Sequence, residues 1–131
     1  MKYLYALFAV AVLLFALDAL WLKFVMGAIF KSELGEMALE KPRMAAAAMF
    51  YLRYSVGLIV FVIAQSGTIP WPRTLLMGAL FGLVAYGTYD LTNMATLRAW
   101  SWKLVAIDVA WGSFVTMLSV APARAIFQLT E

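Results

Sequence analysis

The stretch Thr74-Leu-Leu-Met-Gly-Ala-Leu-Phe-Gly-Leu-Val-Ala-Tyr-Gly-Thr-Tyr-Asp-Leu-Thr-Asn-Met-Ala-Thr96 decides the fold. It is an apolar run broken by a single charge, Asp90. At about 1.5 Å rise per residue, a helix of this length covers the roughly 30 Å hydrocarbon core of a bilayer. A soluble helix would alternate polar and apolar faces, and this one does not.

Three further runs of the same kind flank it. They cover about Tyr3 to Val25, Met44 to Ala64 and Leu104 to Val120. The third and fourth spans are separated by the aromatic and basic belt Arg98, Trp100, Trp102 and Lys103, and the second and third by the stiff turn Ile69-Pro70-Trp71-Pro72-Arg73. Phe24 to Arg43 reads as an interfacial loop with Gly27, Gly35 and Pro42 as breakers and room for a short amphipathic helix. The first run is too long for a secretory h-region, contains Asp18 and lacks a small-x-small cleavage site, so it reads as a retained span. The expected architecture is an all-α, integral membrane four-helix bundle in one domain, residues 1–131.

Composition agrees. Of 131 residues, 66% are hydrophobic and 13% charged, far from the roughly 25% charged residues of a soluble domain. There is no Cys and no His, which excludes thiolate nucleophiles, imidazole bases and the usual zinc, haem or iron–sulfur ligands, so neither metal nor cofactor is expected. The net charge of +3 comes from basic residues scattered singly, not from the stripe a phosphate backbone needs, and no nucleic-acid partner is expected. Lys23, Lys31, Lys41, Arg43, Arg98 and Lys103 fall in the connections after the first and third spans; Lys2, Arg73 and Arg124 lie on the other side. That bias turns both termini away from the cytoplasm.

Four ionisable residues lie inside the expected spans: Asp18, Arg53, Asp90 and Asp108. Each costs at least about 2.5 to 3.5 kcal/mol at bilayer depth, so their presence requires a reason. Counting along antiparallel spans puts all four on one side of the midplane, roughly 6 to 14 Å below the surface that carries the basic loops. Tyr86 and Asp90, and Tyr89 and Asn93, stand four apart on the third span, and Gly78 and Gly82 continue the first of these stripes toward a helix contact. Leu17-Asp18-Ala19-Leu20-Trp21 is echoed by Ile107-Asp108-Val109-Ala110-Trp111, with each Trp on the face of its Asp. One reading is a structural lock, Arg53 pairing with one Asp while the others take hydrogen bonds. The other is a site: three acids against one base call either for protonated carboxyls or for a cationic visitor. Glu33, Glu36 and Glu40 read as a solvated face, and Trp71, Trp100 and Trp102 as interfacial anchors.

The motif Tyr89-Asp90-Leu91-Thr92-Asn93-Met94-Ala95-Thr96-Leu97, with Ile107-Asp108-Val109-Ala110-Trp111-Gly112, the Leu-Asp-Ala-Leu-Trp of the first span and Phe50-Tyr51-Leu52, resembles the bacterial membrane-protein family catalogued as domain of unknown function 2177. The resemblance covers nearly the whole chain. It implies a four-helix, multi-pass protein of the bacterial inner membrane; the periplasmic termini are read from the Lys and Arg bias alone. It also implies that Asp18, Trp21, Tyr86, Tyr89, Asp90, Thr92, Asn93, Asp108 and Trp111 are the family's polar signature. It implies no activity.

Three functional classes fit these residues. The first is a binding or accessory protein whose polar layer receives the head of a lipid or isoprenoid, or a partner membrane subunit, alone, as a homo-oligomer or in a larger complex. The second is a small lipid or isoprenoid isomerase or cyclase with Asp90 or Asp108 as proton donor. The third is a proton-coupled small transporter, weakened by the lack of a matching polar path in the other half of the spans.

Overall fold

Backbone groups inside a bilayer must find their partners within their own segment, so apolar runs of this length have one solution, the helix. The structure is a computed structural model that describes residues 1–130. Four of its helices are long and apolar enough to cross a membrane, Lys2–Met37, Met44–Thr68, Trp71–Thr96 and Trp102–Leu129, and there is no strand among the described residues. The chain is an all-α membrane protein.

The first span comprises α1 (Lys2–Trp21), a wide π-helical turn (Leu22–Met26) and α2 (Gly27–Leu34), ended by Gly35 at φ 56°. This corrects the expectation of a loop from Phe24 onward. Gly27 does not break the helix; it permits the wide turn. A Cβ there would lie 2.4 Å from the Leu22 carbonyl oxygen, to which the Gly27 amide donates. Beyond it, Met26, Ile29, Phe30 and Leu34 pack with Trp100 and Leu104 as a second hydrophobic cluster. Trp100 is therefore buried at 7% exposure, not the interfacial anchor its sequence context suggests, whereas Trp102 is 66% exposed.

The second span is α3 (Met44–Leu58), continued by a second π-helical turn (Ile59–Ile63). The first turns of α3 are almost wholly exposed, and burial begins at Tyr54, Ser55 and Leu58. The third span is α4 (Trp71–Thr96), opened by Pro70 and with Pro72 in its first turn, where a missing amide hydrogen costs nothing. The fourth is α5 (Trp102–Leu129), capped by the Ser101 hydroxyl, which accepts from the Leu104 amide at 3.2 Å. α5 runs through Pro122 instead of ending before it.

The seam between α4 and α5 is the backbone of the bundle. Thr74, Gly78, Gly82, Tyr86 and Asp90 recur every four residues as the buried face of α4, against Leu104, Asp108, Gly112, Thr116 and Ser119 of α5. At Gly82 a Cβ would stand 2.3 Å from the Gly112 carbonyl oxygen, so these glycines are what bring the two helices together. α1 packs along α5, and Ala6, Val10 and Leu14 join Leu58, Val62, Ile63, Val115 and Val120 in one core. The outer surface carries exposed Phe8, Phe24, Phe61 and Val84, a surface made for hydrocarbon.

Arg124 was expected to be a flanking charge. It is instead 3% exposed: its Nη1 donates to Thr74 Oγ1 at 2.6 Å, its Nη2 to the Ile69 carbonyl at 2.7 Å, and its guanidinium lies 4.4 Å from the centre of the Trp71 ring. The turn between the second and third spans is thus held by a side chain from the end of the fourth. That packing is why the helix outlasts its proline.

Candidate intramembrane polar pocket

Asp18 sits one turn before the end of α1, and both its carboxylate oxygens are occupied. The Tyr51 hydroxyl of α3 donates to Oδ2 at 2.5 Å, and the Trp111 indole Nε1 of α5 donates to Oδ1 at 2.9 Å. The Trp111 ring lies flat on Trp21, with centroids 4.3 Å apart and planes 1° from parallel. The repeated Asp-x-x-Trp pattern of the first and last spans therefore has a structural outcome, since the Trp of one reaches the Asp of the other. The reciprocal contact is not made, and Trp21 Nε1 is buried without a hydrogen-bond partner among the described residues.

Asp108 is 8% exposed on α5, and Asp90 is fully buried on α4. The Asp108 carboxyl and the Trp100 indole are the polar neighbours of Asp90. Both Asp90 oxygens and Trp100 Nε1 are left without partners among the described residues. No ion pair reaches Asp18, Asp90 or Asp108 among the described residues; the pair between Lys103 and Glu33, at 3.9 Å, lies outside the group.

Tyr86 completes the layer. Its ring fills the space that the missing side chain of Gly112 leaves open and stands edge-on to Tyr54 at 6.0 Å. Its hydroxyl is buried and unpartnered, whereas the Tyr54 hydroxyl is 2.6 Å from Thr116 Oγ1, which in turn donates to the Gly112 carbonyl at 2.6 Å.

These groups surround a cavity of about 430 Å³. Two carboxyls, Asp18 and Asp108, line it, and its walls are aromatic: Trp21, Phe30, Phe50, Tyr54, Tyr86 and Tyr89, with Leu22 and Ala85. Phe50 and Tyr89 are exposed, so the rim opens between α3 and α4. The volume is that of an ordinary small-molecule site, about 300–1,000 Å³. A larger hollow of 680 Å³ along Leu83, Gly87, Leu91, Val105 and Val109 is an apolar groove on the lipid-facing side. Among the described residues no three Asp or Glu converge in a way that would hold a metal ion.

The residues read from sequence divide clearly. Asp18, Trp21, Tyr86, Tyr89, Asp108 and Trp111 are brought to the pocket or its immediate wall, and Asp90 adjoins it from behind. Asn93 is one turn from Tyr89 and within reach of its hydroxyl. Thr92 is exposed on α4, and its carbonyl accepts from Thr96 Oγ1 at 2.9 Å. Arg53 is also exposed and does not join the acids. It borders a neighbouring hollow that shares Phe50 and Tyr54 with the pocket, and the expected pairing of Arg53 with an Asp is replaced by the Tyr51 and Trp111 hydrogen bonds. The helical step explains this: Arg53 is two residues from Tyr51, on the far side of the helix.

Tyr51, Tyr54, Phe30 and Thr116 were missed. Tyr51, Tyr54 and Leu58 fall at helical spacing, and following that stripe instead of the lone charge identifies the inward face.

A family described as "Predicted membrane protein (DUF2177)" matches residues 3–124. No curated protein and no solved structure matches the chain.

Proposed function

The chain belongs to the DUF2177 family of predicted membrane proteins, and from that premise we propose that it is an intramembrane binding protein. It holds an amphiphile, a lipid or an isoprenoid, with the polar head in the pocket between Asp18, Tyr86 and Asp108 and the tail leaving between α3 and α4. The observation that carries this reading is Tyr86, a residue of the cavity wall whose buried hydroxyl has no hydrogen-bond partner among the described residues. Buried polar groups in folded proteins are paired in the great majority of cases, so an orphan beside a cavity marks a place where another molecule supplies the partner. The pocket belongs to the cytoplasmic half of a bacterial inner membrane, with both termini on the opposite side; the distribution of Lys and Arg supports this orientation.

Lipid mass spectrometry on the protein purified in a mild detergent tests the reading. A single class of amphiphile retained by the wild type and depleted in Tyr86→Phe is the expected result. A ligand-free wild type whose stability is unchanged by added membrane lipid extract contradicts it. Alkaline phosphatase fused to either terminus should be active, and inactive fusions reverse the orientation.

One observation favours a second reading, an isomerase or cyclase of isoprenoids. Asp90 adjoins Asp108 directly behind an aromatic-walled cavity, and a carboxyl that keeps its proton can donate it to a double bond while the rings steady the cation formed. Asp108→Asn should then change the cell's isoprenoid profile as deletion does. A proton path has less support. One turn beyond Asp18, Tyr54 and Trp111, Leu14, Leu58 and Val115 are fully buried, and the hydroxyls of Thr116 and Ser119 at that depth donate to carbonyls of their own helix.

A further inference from the structure

We infer that the head group the pocket takes is an organic cation, an ammonium carried on an apolar chain. This rests on the binding reading above and names its ligand class. The cavity is lined by Asp18 and Asp108 and by no Lys or Arg. No ion pair compensates either carboxyl among the described residues, and the nearest base along α3, Arg53, faces outward. Buried carboxylates are paired or hydrogen-bonded as a rule. Asp18 has its two hydrogen bonds, from Tyr51 and Trp111, so it is a fixed countercharge in the wall. Asp108 lines the cavity at 8% exposure, with the Asp90 carboxyl and no base as its charged neighbour, and is the direct contact.

The walls narrow the class. The aromatic residues of the wall, Trp21, Tyr54 and Tyr86 among them, suit a cation, which ring quadrupoles attract most strongly where water is excluded. A hard metal ion wants six or more oxygen ligands, and the converging ligands are absent among the described residues. An anionic head would meet two carboxyls, and a neutral alcohol would leave them uncompensated. Tyr86, at 9% exposure and with no hydrogen bond at its hydroxyl among the described residues, gives the wall a polar group that adds no charge.

The test is a titration of the full chain, purified in a neutral maltoside detergent, with dodecyltrimethylammonium, dodecanol and dodecyl phosphate, followed by the fluorescence of the pocket tryptophans. The ammonium should bind about tenfold or more tighter than the alcohol, and the phosphate weakest of the three. Asp108→Asn should bring ammonium and alcohol to within about twofold of each other. If that variant does not fold, the wild-type ranking decides. Equal binding of ammonium and alcohol, or tighter binding of the phosphate, overturns the cation while leaving the binding pocket standing. Failure of all three to bind, with no amphiphile co-purifying, overturns both.

Discussion

Replacing Gly112 by Ala tests whether the seam between α4 and α5 holds the pocket in shape. An added Cβ would lie 2.0 Å from Tyr86 Cγ and 2.4 Å from each Cδ. Carbon atoms in contact sit about 3.5–4.0 Å apart, so the ring must retreat by about 1.5–2 Å. It has little room to do so, with Tyr54 edge-on at 6.0 Å and Phe50 at 6.5 Å. Overpacking of this kind costs about 1–3 kcal/mol, and the better helix propensity of Ala offsets about 1 kcal/mol of it, leaving a net loss of about 0–2 kcal/mol. Gly87 is the internal control, because nothing lies within 4 Å of a Cβ there. Gly87→Ala should be neutral or gain up to about 1 kcal/mol. Unfolding of both variants in mixed micelles, followed by circular dichroism, should separate them by about 2 kcal/mol. Gly112→Ala proving as stable as Gly87→Ala would refute the close-approach argument, and with it the claim that the glycine fixes where the Tyr86 hydroxyl stands.

Arg124→Leu should destabilise by about 2–4 kcal/mol, since it strips partners from the Ile69 carbonyl and from buried Thr74. Arg124→Lys should recover only part of this, because one ammonium cannot serve both acceptors as the guanidinium fork does; the readout is protease cleavage in the connection around Ile69. Tyr51→Phe removes one of the two hydrogen bonds to Asp18 and should cost about 1–3 kcal/mol in the same unfolding assay, with no change in secondary structure. Gly27→Ala crowds the Leu22 carbonyl, so it should loosen α2 and uncover Trp100, visible as a red shift of its emission and as faster quenching by acrylamide.

The number of spans was legible because hydrocarbon imposes a length and excludes charge; Thr74 to Thr96 and Met44 to Ala64 fall inside the observed helices Trp71–Thr96 and Met44–Thr68. Helix continuation was not. Gly27 and Pro122 break helices in water, but in this bundle the tertiary packing of Phe30 and Arg124 carries the chain through both. That Asp18, Asp90 and Asp108 come to one level of the bundle was readable, because it needs only the rise per residue. Direction around the helix was harder for Arg53, where a lone charge outweighed the aromatic stripe beside it. Long cations also reach the surface from positions where acids cannot, so a charge on a span is weaker evidence for an inward face when it is Arg.

The wide turn at Leu22–Met26 means that the first span carries one residue more than an α-helix of the same path requires. Most single-residue deletions rotate everything downstream by a hundred degrees and ruin the packing of a helix. A deletion within these five positions would instead tighten the turn and leave α2 on the same azimuth. The segment is a built-in slack link, where this chain can lose a residue without turning the helix that follows it.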